Sequence, residues 1–387
     1  MAVIAKNKVK NGIVFSGRTW SYVLRVPDPL TGKTKPKWVG GFDSEKSAKL
    51  ARDKARVSIA KRDYVPPTKQ SLGDFLNAWI DIHSKRVKPI TEHSYRKLIR
   101  NYIIPEIGQI KLQDLRPIHI ESFYSKMLET EGKRGGKISA TTVVRCGAVL
   151  KKALRYAVEV ENLIAYNPAS RIQMPKTSKK VPQLWNLGEL NKFLDSAKSH
   201  RLFFFFRLSA FTGARRGELL ALKWSDFDGK AISISKSRIE IDRKVIEQET
   251  TKGGSNGQRR VILDQETIDL FAAHRRRQLE ERLILGEHWI DSNYVFVQEN
   301  GLPLDPSTPT QLLRKISQNI GLRPIQLHDL RHIHATELLR CGEPLHVVAN
   351  RLGHRDAMVT ATIYAHVSNE QAETASNTFA KAAKSAN

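Results

Sequence analysis

The stretch "LHDLRHIHATELL", Leu327 to Leu339, places three histidines and an arginine within seven positions. Two chemistries suit it. His328 and His332 are four apart and share one face of a helix, as a helical zinc site requires. Arg331 argues for the other: a guanidinium repels a cation, but three residues from an imidazole it cradles a phosphate. A zinc hydrolase would also need a third ligand, and a glutamate base where this helix has Asp329.

Two further clusters could do chemistry. In "TGARRGELLALKW", Thr212 to Trp224, Leu219, Leu220 and Leu222 form a buried helical stripe. Arg215 and Glu218 sit three apart on one face, with Gly213 at the expected helix start. An arginine at a helix N-terminus meets the positive end of the dipole, so it needs an anion, either Glu218 or a phosphate. In "RLGHRDAMVTATIYAH", His354 and Tyr364 are separated by a helical run.

Those clusters need a scaffold, and composition bounds it. The 387 residues exceed one ordinary core and suggest two or three domains. A formal charge of +25 points to a polyanionic partner, with nucleic acid the leading candidate. No apolar run approaches the roughly 20 residues of a membrane span, and "LFFFFRLSAF" is interrupted by Arg207. "MAVIAKNKVKNG" has no signal-peptide apolar region. Two distant cysteines, Cys146 and Cys341, fit a reducing cytosol and give no Cys-rich metal site.

Three segments follow along the chain. Residues 1–64 carry 15 Lys and Arg against 5 Asp and Glu. There "WSYVLRV" and "KPKWVGGF" alternate as strands and a helix runs to Ala60, with Trp20, Tyr22, Trp38 and Phe42 expected in a packed core. A β-ribbon of this kind can enter a major groove. After the linker "VPPTKQ", residues 65–175 repeat apolar positions at helical spacing: Phe75, Leu76, Trp79 and Ile80; Tyr95, Leu98, Ile99 and Tyr102; Val144, Ala148, Leu150, Leu154 and Ala157. Four or five helices result, with basic residues between the apolar ones, as in "YRKLIR" and "LKKALRYA", suited to phosphate contacts. Beyond the linker "MPKTSKKVPQ", residues 176–387 are helix-rich with one β insertion. "AISISKSRIEID" reads as one strand, "TTKGGSNGQ" as the turn and "RRVIL" as the returning strand.

In this order on one basic chain, the three clusters resemble the tyrosine recombinase (phage-type integrase) family, whose boxes read approximately TGxRxxEL, HxLRH and LGH followed by a tyrosine. The resemblance implies that Arg215 and Arg331 clamp a phosphate, that His328 and His354 are the two imidazoles, and that Tyr364 is the nucleophile. Lys252 matches the family's hairpin lysine, with Lys236 and Lys244 on the same β segment as alternatives, and Glu218 stands where the family has a supporting acid. His332 and His334 are then packed helix residues.

The implied fold is multidomain and mainly α with small β elements. It comprises an AP2-like arm-binding β-ribbon domain (1–64), a helical SAM-like core-binding domain (65–175) and a mixed α/β catalytic domain (176–387). The implied activity is site-specific DNA recombination through a 3′-phosphotyrosine, integrating or excising a mobile element without cofactor or metal. A DNA invertase, a dimer-resolving recombinase and a non-cleaving regulator are the alternatives. The implied partners are double-stranded DNA at core and arm sites, three further copies of the chain in a tetramer, and DNA-bending and directionality proteins. The implied place is the bacterial cytosol, at the nucleoid. The alanine-rich run "NEQAETASNTFAKAAKSAN" either docks on a neighbouring protomer or frays.

Overall fold

The computed structural model describes residues 12–27, 34–60, 64–132, 135–177, 183–242, 244–248 and 257–354. Lys252, Tyr364 and the alanine-rich C-terminal run lie outside the described residues. The chain divides into two compact units, Met1–Lys179 and Lys180–Asn387.

The first unit begins with a three-stranded antiparallel sheet of β1 (Ile13–Phe15), β2 (Trp20–Pro27) and β3 (Thr34–Phe42), in the order β1-β2-β3. Helix α1 (Glu45–Ala60) follows. Ile13, Tyr22 and Leu24 meet Ala48 and Ala55 in a small core, with Trp20 and Phe42 packed at its edge. Trp38 does not belong to that core: it is 56% exposed. It pairs with Val23 in a register that turns alternate residues outward, so its neighbour Val39 packs inward instead.

Five helical segments follow: α2 (Leu72–Ser84), α3 (Pro89–Leu98), α4 (Ile104–Ile107), α5 (Pro117–Glu129) and α6 (Ala140–Glu159). Ser71 starts α2 as a capping box, its hydroxyl taking the Asp74 backbone N–H at 3.1 Å while the Asp74 carboxylate accepts the Ser71 backbone N–H at 3.4 Å. A π-helical turn, Ile99–Ile103, joins α3 to α4 and keeps both Ile99 and Ile103 buried. On α6 the buried face is Val143, Cys146, Val149, Leu150, Ala153, Leu154 and Ala157. The stripe expected from Val144 and Ala148 is thus displaced, because small Cys146 and Gly147 lie inward and Ala148 is exposed.

In the second unit α7 (Leu187–Ala197), α8 (Phe203–Thr212), α9 (Arg216–Ala221), α10 (Gln265–Leu285) and α11 (Thr308–Asn319) contribute to one core with Phe193, Phe205, Phe206, Phe271 and Phe296 fully buried. Helix α8 is apolar almost all round, which marks a core helix. Its one charge, Arg207, is paired with Asp264 at 3.1 Å and Glu266 at 3.0 Å. No helix among the described residues is long and apolar enough to cross a membrane.

The β insertion departs from the expected single hairpin. The alternating run is cut in two at Ser235 and Lys236, giving β4 (Ala231–Ile234) and β5 (Ser237–Ile241). Strand β4 pairs with the returning strand β7 (Arg259–Ile262), as the pattern implied. Strand β5 instead pairs with β6 (Lys244–Gln248) across a tight turn that starts at Asp242, whose φ is 49°. An Asp accepts that left-handed conformation, so the nearest turn precedes the glycine-rich stretch. Helices α12 (Asp329–Arg340) and α13 (Leu345–Leu352) complete the described fold.

Candidate active site

Arg215 sits at the start of α9, and Glu218 one turn in holds it twice. The Glu218 carboxylate accepts the Arg215 backbone N–H at 2.9 Å and its guanidinium at 2.7 Å. Gly213 is not the start of that helix. With φ at 62° it caps the end of α8 in the left-handed conformation, which glycine adopts without steric cost. Close packing also requires glycine: a Cβ there would lie 2.5 Å from Leu352 and 3.0 Å from His334.

Glu218 is only 2% exposed. Its second oxygen takes a guanidinium the motifs did not mark, that of Arg259 on β7, at 2.8 Å. Burial alone would raise the Glu218 carboxyl, but Arg259 and Arg215 beside it outweigh burial and hold it below the usual range. The sequence did carry a signal for Arg259. Strand alternation that turns Val261 inward turns Arg259 inward as well.

Arg331, near the start of α12, is buried and donates to two backbone carbonyls, Gly213 at 2.6 Å and Leu352 at 2.6 Å. Burial pushes its guanidinium down to about 9, Arg215 and Arg259 push the same way, and Glu218 opposes them. It stays charged at neutral pH. His354 lies just beyond α13, past Gly353. Burial, then Arg331, Arg215, Arg259 and His328, push its imidazole down to about 4, so it is neutral at pH 7. The charges of Arg331, Arg215, Arg259 and His328 thus act together on His354.

His328 is exposed at the N-terminal end of α12, its ring edge-on to His332 with centroids 5.0 Å apart. His334 points elsewhere: its Nε2 accepts from Arg351 at 3.2 Å. Among the described residues no three His, Cys, Asp or Glu side chains are grouped to hold a metal ion. Of the lysines, Lys236 donates to Glu247 at 3.3 Å, and Lys244 is exposed on β6. Glu247 also accepts from the Tyr294 hydroxyl.

Comparison with known proteins gives the family of the chain. The Phage integrase family model matches residues 177–371, the Phage integrase N-terminal SAM-like domain residues 71–128, and the Arm DNA-binding domain residues 13–58. The chain belongs to the phage integrase family, the tyrosine recombinases. A Tyrosine recombinase XerC-like protein of Caldanaerobacter subterraneus is 31% identical over 329 residues, covering 80% of this chain and 82% of that one. Among solved structures, the Tn1549 transposon integrase in complex with transposon right end DNA superposes with a TM-score of 0.68 at 17% identity, over 80% of this chain and all of that one. A lambda integrase tetramer bound to a Holliday junction gives 0.59 at 18% identity, over 93% and 96% of the two chains. At those identities the likeness is one of fold: a mainly helical multidomain recombinase with small β elements in its arm-binding and catalytic parts.

Proposed function

We propose that this recombinase is a two-site integrase that cleaves and rejoins DNA strands through a 3′-phosphotyrosine, integrating or excising a mobile element. One observation carries the reading: the guanidiniums of Arg215 and Arg259 share the carboxylate of Glu218, the one buried carboxylate among the described residues, and Arg331, buried on the Gly213 carbonyl two residues before Arg215, adds a third positive charge. Such an excess of positive charge, withdrawn from water, calls for an anion, and a phosphodiester supplies it.

In that role Arg215 and Arg331 hold the non-bridging oxygens as negative charge grows on them during attack. Fixed beforehand by Glu218 and by two carbonyls, these guanidiniums need no rearrangement when the charge appears. Tyr364 attacks phosphorus, forming the tyrosyl ester as the bond to the 5′ oxygen breaks. His328 and the neutral His354 are the candidates to relieve the phenol of its proton, and Lys252 delivers one to the leaving oxygen. The ester conserves the bond energy, so rejoining by the returning 5′ hydroxyl needs neither metal nor nucleotide.

The division of labour follows the sequence segments: residues 1–64 on arm sites, 65–175 on the core site and 176–387 in catalysis. Exposed Lys85, Arg86, Lys88, Arg100, Arg145 and Arg155 give the middle segment sequence-independent phosphate contacts. Two unlike DNA-reading modules on one chain favour a two-site integrase over an invertase or resolvase, because they bridge separated sites. Assembly is as a tetramer on DNA, as the lambda integrase structure has it, with DNA-bending and directionality proteins as accessories. The free thiols of Cys146 and Cys341 suit the reducing bacterial cytosol, at the nucleoid.

Deletion of residues 1–64 tests the two-site reading. On duplexes carrying core and arm sites selected by the full chain from random-sequence DNA, core cleavage should persist while arm-dependent recombination is lost. Recombination unaffected by the deletion, or core cleavage lost with it, would contradict the reading.

A further inference from the structure

Arg259 stands in none of the motif boxes, yet each of its three side-chain nitrogens is engaged. Nε donates to the Arg351 carbonyl at 2.7 Å, one Nη to the Gly257 carbonyl at 3.2 Å and the other to Glu218 at 2.8 Å. Its side chain is 5% exposed. The three partners belong to three stretches that the reaction needs in register. Glu218 holds Arg215. Gly257 follows Lys252 by five residues in sequence. Arg351 lies in the last turn of α13, three residues before His354.

A fourth contact falls on the same guanidinium. Gly353 has a φ of +67°, and a Cβ on it would lie 2.9 Å from an Arg259 Nη and 3.1 Å from its Cδ. The turn that delivers His354 is therefore packed directly against Arg259. It is glycine both for its left-handed backbone and for the room it leaves.

We propose that Arg259 is a positioning residue for strand cleavage, fixing the Glu218–Arg215 pair, the Gly257 backbone and the Gly353–His354 turn in one geometry. It acts through these groups and does not touch the reacting atoms. The proposal rests on the roles proposed for Arg215 and His354. A lysine cannot replace it, since one ammonium on a flexible stem does not span a carboxylate and two carbonyls in fixed directions.

The test uses the full chain on a nicked suicide duplex bearing the selected core site, comparing wild type with Arg259→Lys, Arg259→Gln and Gly353→Ala. Gly353→Ala places a Cβ against the guanidinium and removes no charge. DNA affinity, thermal melting, the amplitude of covalent adduct and the single-turnover rate constant are all measured. DNA affinity should stay within about twofold and the adduct amplitude should remain complete, while the rate constant falls on the order of 100-fold, the scale of a catalytic group misplaced by about 1 Å. A wild-type rate constant in Arg259→Lys would overturn the proposal. So would a loss confined to melting temperature and adduct amplitude, since that marks a residue that only stabilises the fold. If the wild-type chain itself forms no adduct, the reading of the site fails first and the role of Arg259 falls with it.

Discussion

Arg331 donates to the carbonyl of Leu352 at 2.6 Å, so the guanidinium of the "LHDLRH" motif is held by the chain that leads into His354. A second bond, to the Gly213 carbonyl at 2.6 Å, ties it to the loop that leads into Arg215. One side chain thus links the three motif clusters through their backbones.

The first prediction concerns that link. Arg331→Lys keeps a charge but cannot satisfy both carbonyls while also facing a phosphate. Cleavage should fall on the order of 100- to 1000-fold, as for loss of one preorganised donor to a developing oxyanion. Leaving one buried carbonyl without a donor should cost about 1–3 kcal/mol of stability. Single-turnover cleavage and urea unfolding measure the two effects separately. Unchanged cleavage in a folded variant would remove Arg331 from the clamp.

His354 gives a pH prediction. Its folded value, pushed down to about 4 by burial and by Arg331, Arg215, Arg259 and His328, lies below the ordinary 6.5. For a base shifted downward, the stability it contributes is complete above 6.5 and is lost as pH falls toward 4. An anion seated among the arginines offsets their repulsion, so it should raise the His354 value. By linkage, that anion then binds more tightly as pH falls. Sulfate is a suitable probe because it does not titrate in this range. Histidine NMR, assigned with a His354→Gln variant, should show a titration near 4 that moves upward with sulfate. A value near 6.5 that ignores sulfate would place His354 outside the anion site.

Lys252 is tested through the leaving group. The 5′ oxygen departs as an alkoxide unless it is protonated, so Lys252→Ala should cleave slowly. A substrate with sulfur at the 5′ bridging position leaves as a stable thiolate and should restore cleavage to this variant. It should restore Arg331→Ala much less, because that variant lacks the clamp rather than the acid. Equal slowness on both substrates would move the acid elsewhere, with Lys236 and Lys244 next to be changed.

The local parts of the fold and site were legible in sequence, and the long-range parts were not. Arg215 and Glu218 are three apart, so helical spacing alone pairs them. Arg259 meets Glu218 from 41 residues away, and only the inward phase of "RRVIL" hints at it. The helical stripe of α2 reads correctly because Phe75, Leu76, Trp79 and Ile80 are all large and all buried. On α6 the inward positions include Cys146 and Gly147, whose small side chains carry a weak hydrophobic signal. Reading Ala231 to Ile241 as one strand passed over a phase shift, since the apolar positions move from Ile232 and Ile234 to Ile239 and Ile241, and the strand breaks between them at Ser235 and Lys236. Gly213 ends α8 immediately before α9 begins, and a glycine between two adjacent helices has the same appearance in sequence at either end.

Covalent capture of DNA at Tyr364 is measured on a nicked suicide duplex bearing the selected core site. The severed strand diffuses away before it can rejoin, so the adduct accumulates and survives a denaturing gel. The wild-type chain should form such an adduct in the presence of EDTA, with its phosphodiester mapped by peptide mass to Tyr364. Tyr364→Phe should form none, with core-site affinity unchanged. An adduct from the Phe variant, or one mapped to another residue, would contradict capture at Tyr364.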